Sequence, residues 1–222
     1  MLLPERAAFM PDTPQQPAGL LLIADVHFGK AASFRRLGVP VPQGTTEANL
    51  ARIEALLARL STPDGGSAVR RIVFLGDFLH AASGRAPATL QALADWRARH
   101  ADLPMTLVRG NHDSHAGDPP PALAIDVVDE PWVAGGLALC HHPDLHPDAL
   151  NATGRYAIAG HVHPVARLGR GFDSLRLPCF HARAGVMVLP AFGAFTGGAM
   201  TQAAPGEAIY LVAGERAVRA PG

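Results

Sequence analysis

Five short segments of this 222-residue chain carry residue types that bind metal and activate water: Asp25-x-His27, Gly76-Asp77, Gly110-Asn111-His112-Asp113, His141-His142 and Gly160-His161-Val162-His163. Each follows an apolar run, at 20–24, 72–75, 105–108, 137–140 and 156–159. In a strand, positions i and i+2 point to one face, so Asp25 and His27 are expected to project together. Taken singly the segments say little, because Gly-Asp is a common turn dipeptide. Their order, each at the downstream end of an apolar run, carries the information. The chemistry such donors allow is phosphoester hydrolysis, which needs hydroxide beside an anionic phosphorus and neutralisation of charge on two opposed oxygens. Two divalent cations about 3.5–4 Å apart do both.

The elements that must position these residues follow from periodicity and punctuation. A short strand is expected near 7–10 and a central strand at 20–24. After an extended loop with Pro40 and Pro42, Thr45 or Thr46 caps a helix whose stripe is Leu50, Ile53, Leu57 and Leu60. Pro63-Asp64-Gly65-Gly66 ends it. A strand at 72–75 precedes a helix opened by Pro87, where proline suits the first turn. A strand at 105–108 follows, and then strands at about 124–128, 137–140, 156–159, 165–168, 175–180, 185–189 and 208–213. Gly135-Gly136 reads as a hairpin turn. Strand–helix alternation followed by consecutive strands predicts an α/β fold of two packed mixed sheets flanked by helices. No linker composition divides the chain, so 1–222 reads as a single domain.

Lys+Arg and Asp+Glu both number 19 and the pI is about 7.2, so no global basic field holds nucleic acid; any such contact needs a local patch. Cys140 and Cys179 form no CxxC and sit in apolar runs, as buried free thiols do. No basic segment with a long apolar stretch opens the chain, and no run reaches the roughly 18–20 apolar residues of a membrane span. The expectation is a soluble cytoplasmic protein.

The ordered set D-x-H, G-D, G-N-H-D, H and G-H-x-H resembles the calcineurin-like metallophosphoesterase superfamily over Asp25 to His163. The resemblance implies a two-sheet sandwich with a binuclear centre at the strand ends. It implies that Asp25, His27 and His163 hold one metal, that Asn111, His141 and His161 hold the other, and that Asp77 bridges them. His141 and His142 compete for one position, and the family pattern favours His141. Oxygen and imidazole donors without thiolates suit Mn²⁺, Fe or Zn²⁺, and the resemblance points to two Mn²⁺. In the family pattern His112 is the general acid or transition-state stabiliser; Asp113 would fix its tautomer and hold it charged. The simpler role for His112 is support of the metal ligands from behind. His80 and His115 lie close enough to the motifs for a supporting role, whereas His100, His146 and His181 read as surface or hydrogen-bonded residues. Lys30, Arg35 and Arg36 could contact a phosphodiester backbone or simply be solvated. Arg109 reads as a partner for nearby carboxylates.

Residues 22–40, 109–113, 139–143, 159–164, 175–180 and 189–198 are similar to a narrower bacterial group, the ligase-associated DNA-damage-response endonucleases. That likeness implies a Mn²⁺-dependent phosphodiesterase that cleaves DNA, single-stranded or flexible, by attack of metal-bound hydroxide. It also implies functional association with a DNA ligase, a helicase and an exonuclease-like protein. Phe172 departs from the group's pattern, and the Gly-rich loop 192–198 either approaches the site or only turns the chain. The rival enzyme reading is a phosphodiesterase or phosphomonoesterase for nucleotides or cyclic nucleotides. The rival of another class is a non-catalytic scaffold, against which the complete donor set speaks.

Overall fold

The computed structural model describes residues 1–14, 18–62, 64–144, 154–169 and 173–220. Its first sheet runs in chain order: β1 (Leu2–Leu3), β2 (Ala7–Met10), β3 (Leu20–Ala24), β4 (Arg71–Leu75), β5 (Met105–Val108) and β6 (Asp126–Val128). β1, β2 and β3 pair antiparallel and β3 to β6 pair parallel, so the sheet is mixed. β3 and β5 are buried along their whole length. Such nearly continuous apolar runs, interrupted in β5 only by Thr106, belong to parallel strands covered on both faces. The register sets Ala24 beside Leu75 and Leu75 beside Val108. The chain therefore leaves β3, β4 and β5 at one level, and the first three motifs begin there.

The return crossovers are helical. α1 (Lys30–Arg36) and α2 (Thr45–Arg59) join β3 to β4, α3 (Pro87–Arg99) joins β4 to β5, and α4 (Asn111–Ala116) follows β5. Alternate residues of the strands part to opposite faces. Leu21, Ile23, Ile72, Phe74 and Leu107 pack with Ile53 and Leu56 of α2 and Leu93 and Trp96 of α3. Leu20, Leu22, Ala24, Val73, Leu75 and Val108 pack instead on Leu139, Ile158, Phe180 and Leu189. Each large side chain so buried contributes about 1.5–3 kcal/mol. Neither Thr45 nor Thr46 caps α2: the cap is Gly44 at φ 74°, and Thr45 is already helical. Glycine reaches that left-handed turn without a Cβ clash.

The second sheet contains β7 (Trp132–Ala134), β8 (Leu137–Leu139), β9 (Ala157–Ala159), β10 (Pro164–Leu168), β11 (Leu175–Arg183), β12 (Val186–Val188), β13 (Ala199–Met200), β14 (Ala208–Ala213) and β15 (Arg216–Arg219). Its order is β13-β10-β11-β12-β9-β8-β7, with β14 pairing β11 and β15. Trp132 stands opposite Leu139 across the expected Gly135-Gly136 turn. The two sheets pack face to face, so the predicted sandwich of mixed sheets flanked by helices is the observed architecture. β1, β7, β13, β15, α1 and α4 were not anticipated, and the strand expected from 124 starts at Asp126. Pro63, His146 and Phe172 lie outside the described residues. No helix among the described residues is long and apolar enough to cross a membrane.

Candidate metal centre

Asp25, His27, Asp77, His161 and His163 all have left-handed backbones, with φ of 54°, 50°, 52°, 69° and 50°. Among the described non-glycine residues only Arg6 and Ala124 share that region. It costs on the order of 1–3 kcal/mol per residue and persists where the surroundings over-determine it. β3 ends at Ala24, so strand alternation does not align Asp25 with His27, as the spacing had suggested. Consecutive tight turns aim the two side chains inward instead. The motif glycines make room for this convergence. A Cβ on Gly76 would stand 2.0 Å from His141 Nδ1, and one on Gly160 would stand 2.6 Å from Asp25 Oδ2.

Two donor groups result. In the first, Asp25, His27, Asp77 and His163 each present an atom within 4.8 Å of the others. His27 Nε2 lies 3.6 Å from Asp77 Oδ2, and His163 Nε2 lies 3.3 Å from Asp25 Oδ1. Both nitrogens are buried and have no hydrogen-bond partner among the described residues. An unsatisfied buried polar atom costs about 1–3 kcal/mol, a penalty that a cation between these imidazoles and carboxylates removes. Burial, aided by the nearby Lys30, His163, His80 and His112, holds His27 far below the usual histidine range. Its imidazole is therefore neutral, the form that ligates metal.

In the second group, His141 Nδ1 donates to the Leu75 carbonyl at 3.1 Å, which leaves Nε2 as the lone-pair nitrogen. That nitrogen lies 2.9 Å from Asn111 Oδ1 and 3.0 Å from His161 Nδ1. Lone pairs converging in this way fit a cation. Asp77 faces both groups, with Oδ2 toward His27 and Oδ1 3.5 Å from His141 Nε2. All seven residues predicted as ligands thus meet in one place. His142 belongs to the neighbourhood but is tied back, its Nδ1 2.6 Å from Glu130 Oε1. Glu130 Oε2 accepts the amides of His141 at 2.7 Å and His142 at 2.9 Å. Nothing in the sequence singled out Glu130, because its role depends on pairing across eleven residues to the start of the histidine loop.

His112 lies beside the first group, with Nε2 4.0 Å from Asp77 Oδ2. Its ring is oriented by the His80 carbonyl, which accepts from Nδ1–H at 2.8 Å, and it stacks on the His80 ring with centroids 5.0 Å apart. The expectation that Asp113 sets this tautomer requires correction. Asp113 Oδ2 accepts the amides of Asp77 and Gly110, at 2.8 and 2.9 Å, and Oδ1 accepts the amide of Phe78 at 2.9 Å. As the third helical residue of α4, its side chain is turned back onto orphan amides and cannot reach the ring of its neighbour. It braces the Asp77 turn. Burial raises its pKa to about 6, against the pull of these amides. His80, set aside in the sequence except for its position, lies with Nδ1 3.4 Å from His27 Nδ1; burial, with Lys30 and His112, lowers its pKa to about 4.

Of the three predicted phosphate-binding cations, Lys30 opens α1 half-buried; burial lowers its pKa, against the upward pull of Asp77 and Asp25. Arg35 and Arg36 are exposed at the far end of the helix, and Arg35 donates to the Pro42 carbonyl at 3.0 Å. The loop after β12 does approach the site. The amides of Phe192 and Gly193 donate to the carbonyls of Ala24 and Asp25, at 2.8 and 3.1 Å, and the amide of Ala194 to Asn49 Oδ1 at 3.0 Å. Arg109 pairs with Asp118 and Asp129, His100 with Glu54, and His181 with Glu207. Both cysteines are free and buried, and burial pushes each thiol up to about 12.

Residues 19–155 match the family model of the calcineurin-like phosphoesterases. Among solved structures, the chain is similar to the Pseudomonas putida nuclease MPE, at 45% identity and a TM-score of 0.76, over 95% of this chain and 90% of that one. A protein of unknown function from Aquifex aeolicus, AQ665, overlaps at 17% identity and a TM-score of 0.38, over 65% of this chain and 78% of that one, too slight a likeness to bear on the site. No curated protein matches.

Proposed function

The chain belongs to the calcineurin-like phosphoesterase family, and from that premise we propose that it is a two-metal phosphodiesterase that cleaves DNA, of the ligase-associated DNA-damage-response type. Metal-dependent phosphoester hydrolysis is supported by the family match and by the clusters of potential metal ligands. The observation that carries the reading is Asp77, one oxygen toward each cluster, beside buried imidazole nitrogens that have no hydrogen-bond partner among the described residues. Two divalent cations, Mn²⁺ by resemblance, would be held by Asp25, His27 and His163 and by Asn111, His141 and His161 with Asp77 shared, and would lower the pKa of water and neutralise the phosphate.

The other steps fall to side chains. The His80 carbonyl holds His112 through Nδ1–H, so Nε2 is the nitrogen left toward Asp77, and it is from there that the protonated ring would pass its proton to a leaving alkoxide. Lys30 adds positive charge beside the carboxylates, where non-bridging phosphate oxygens would lie. The nucleic-acid substrate is supported by the 45% identity to a protein described as a nuclease. The association with a ligase, a helicase and an exonuclease-like protein is supported by the motif text alone.

Bis(p-nitrophenyl) phosphate, its monoester, and supercoiled and single-stranded circular DNA, each with Mn²⁺, test the reading. Diester turnover well above monoester turnover, with nicking of the circles, is expected. Preference for the monoester or for cyclic nucleotides would replace it with the small-substrate reading. A protein loaded with metal that turns over no ester would be a scaffold.

A further inference from the structure

The net charge is zero, yet the wall of the site beyond His163 is basic. A cavity of about 210 Å³ opens there, lined by His163, Arg6, Arg176 and Thr196, with no carboxylate among its described lining residues. Arg6 stands in the β1–β2 turn at φ 66°, and its side chain makes no hydrogen bond or ion pair among the described residues. It lies close enough to Arg52 that the two charges repel: burial and then Arg6 push the Arg52 guanidinium down to about 10. Arg176 donates to the Gly198 carbonyl, which sets its guanidinium against the loop that also packs on Asp25. A half-buried arginine without an ion-pair partner among the described residues, close to a second arginine and lining a cavity shared with a candidate metal ligand, has the chemistry to bind an anion.

We propose that this cavity binds a phosphodiester group of the nucleic-acid strand next to the one being cleaved, with Arg6 and Arg176 as its ligands. The inference rests on the phosphodiesterase reading above and names how that site would hold a polymer. It also moves strand recognition away from Arg35 and Arg36. On its other side Arg6 lines a cavity of about 650 Å³ with Arg52 and Arg59, but Glu5 pairs with Arg59 there at 2.7 Å and Glu215 adds a second acid. The acid-free cavity is therefore the phosphate site.

The test compares a single-stranded oligonucleotide with bis(p-nitrophenyl) phosphate, which has only the scissile phosphate. For Arg6→Gln and for Arg176→Gln, kcat/KM on the oligonucleotide should fall about tenfold relative to the small diester, the scale of one charged hydrogen bond. The slope of log affinity against log salt should shrink by roughly 0.7 for each arginine removed. Fluorescence anisotropy of a labelled oligonucleotide on metal-free protein gives the slope without turnover, and Arg6→Lys should restore part of it. Arg71→Gln, at the opposite end of β4, controls for loss of net charge and should leave the slope alone. Equal losses on both substrates, or a slope that matches wild type, would overturn the subsite. A wild-type protein that hydrolyses no small diester would overturn the function instead, so the two failures are distinct.

Discussion

On the side of Asp25, His27 and His163 the first two residues are buried, the third is half-buried, and two buried imidazole nitrogens face carboxylates without hydrogen bonds among the described residues, whereas on the side of Asn111, His141 and His161 the donors touch one another and His161 is exposed. The first half is made by left-handed turns at Asp25, His27, Asp77 and His163, while of Asn111, His141 and His161 only His161 shares that backbone. The second draws on a fully buried His141, anchored to the first sheet through the Leu75 carbonyl and to the segment joining the two sheets through Glu130. A closed half with strained backbone is pre-organised and should hold its ion tightly. An open half with an exposed ligand should exchange its ion and admit substrate.

Asp77 joins the halves, and Asp77→Ala should cost both ions and, with them, diester hydrolysis. Elemental analysis that finds one ion retained would show the halves to be independent. Next in size, His112→Ala should keep both ions and lose at least about 10²-fold in rate, read by single-turnover kinetics. A smaller, one-sided effect is expected of Glu130→Gln: manganese affinity of the open half alone should weaken by about 10–100-fold, visible as a change in one of two binding classes by electron paramagnetic resonance. Equal weakening of both classes would erase the contrast. Smallest is the effect of thiol chemistry. The Cys179 pKa of about 12 lies well above pH 8, so its thiolate fraction there is on the order of 10⁻⁴, rising only as pH climbs toward 12. Iodoacetamide at pH 8 should leave turnover within about twofold of the untreated protein. A large loss would point to a thiolate near the open half, where Cys140 precedes His141.

Strands that are buried on both faces, such as β3 and, from Ile72, β4, were legible because their apolar runs are continuous and end at an acid or a glycine. α1 was not, because Gly29 opens it without a side-chain cap and only Ala31 and Ser33 are buried. The short strands β7 and β15 are mostly exposed or half-buried and leave no pattern in the sequence. Among the site residues, Asp113 and Glu130 show where sequence reasoning stops. Adjacency suggested that Asp113 serves His112, but its carboxylate closes on amides from two loops; Glu130 had no neighbouring motif at all.

Residue type and order by themselves determined the chemistry available to this chain: oxygen and imidazole donors, one shared carboxylate candidate and one unligated histidine, each following a segment apolar enough to be a strand. Tertiary structure alone decided where those donors point. The aim depends on left-handed turns, on glycines whose missing Cβ lets imidazole and carboxylate pass within contact, and on the alignment of Ala24, Leu75 and Val108 across a parallel sheet. It decided the basic wall too, because Arg6 and Arg176 are 170 positions apart and come to share a cavity only when the two sheets pack. Local sequence encodes the donor; direction comes from long-range packing, which no short window contains.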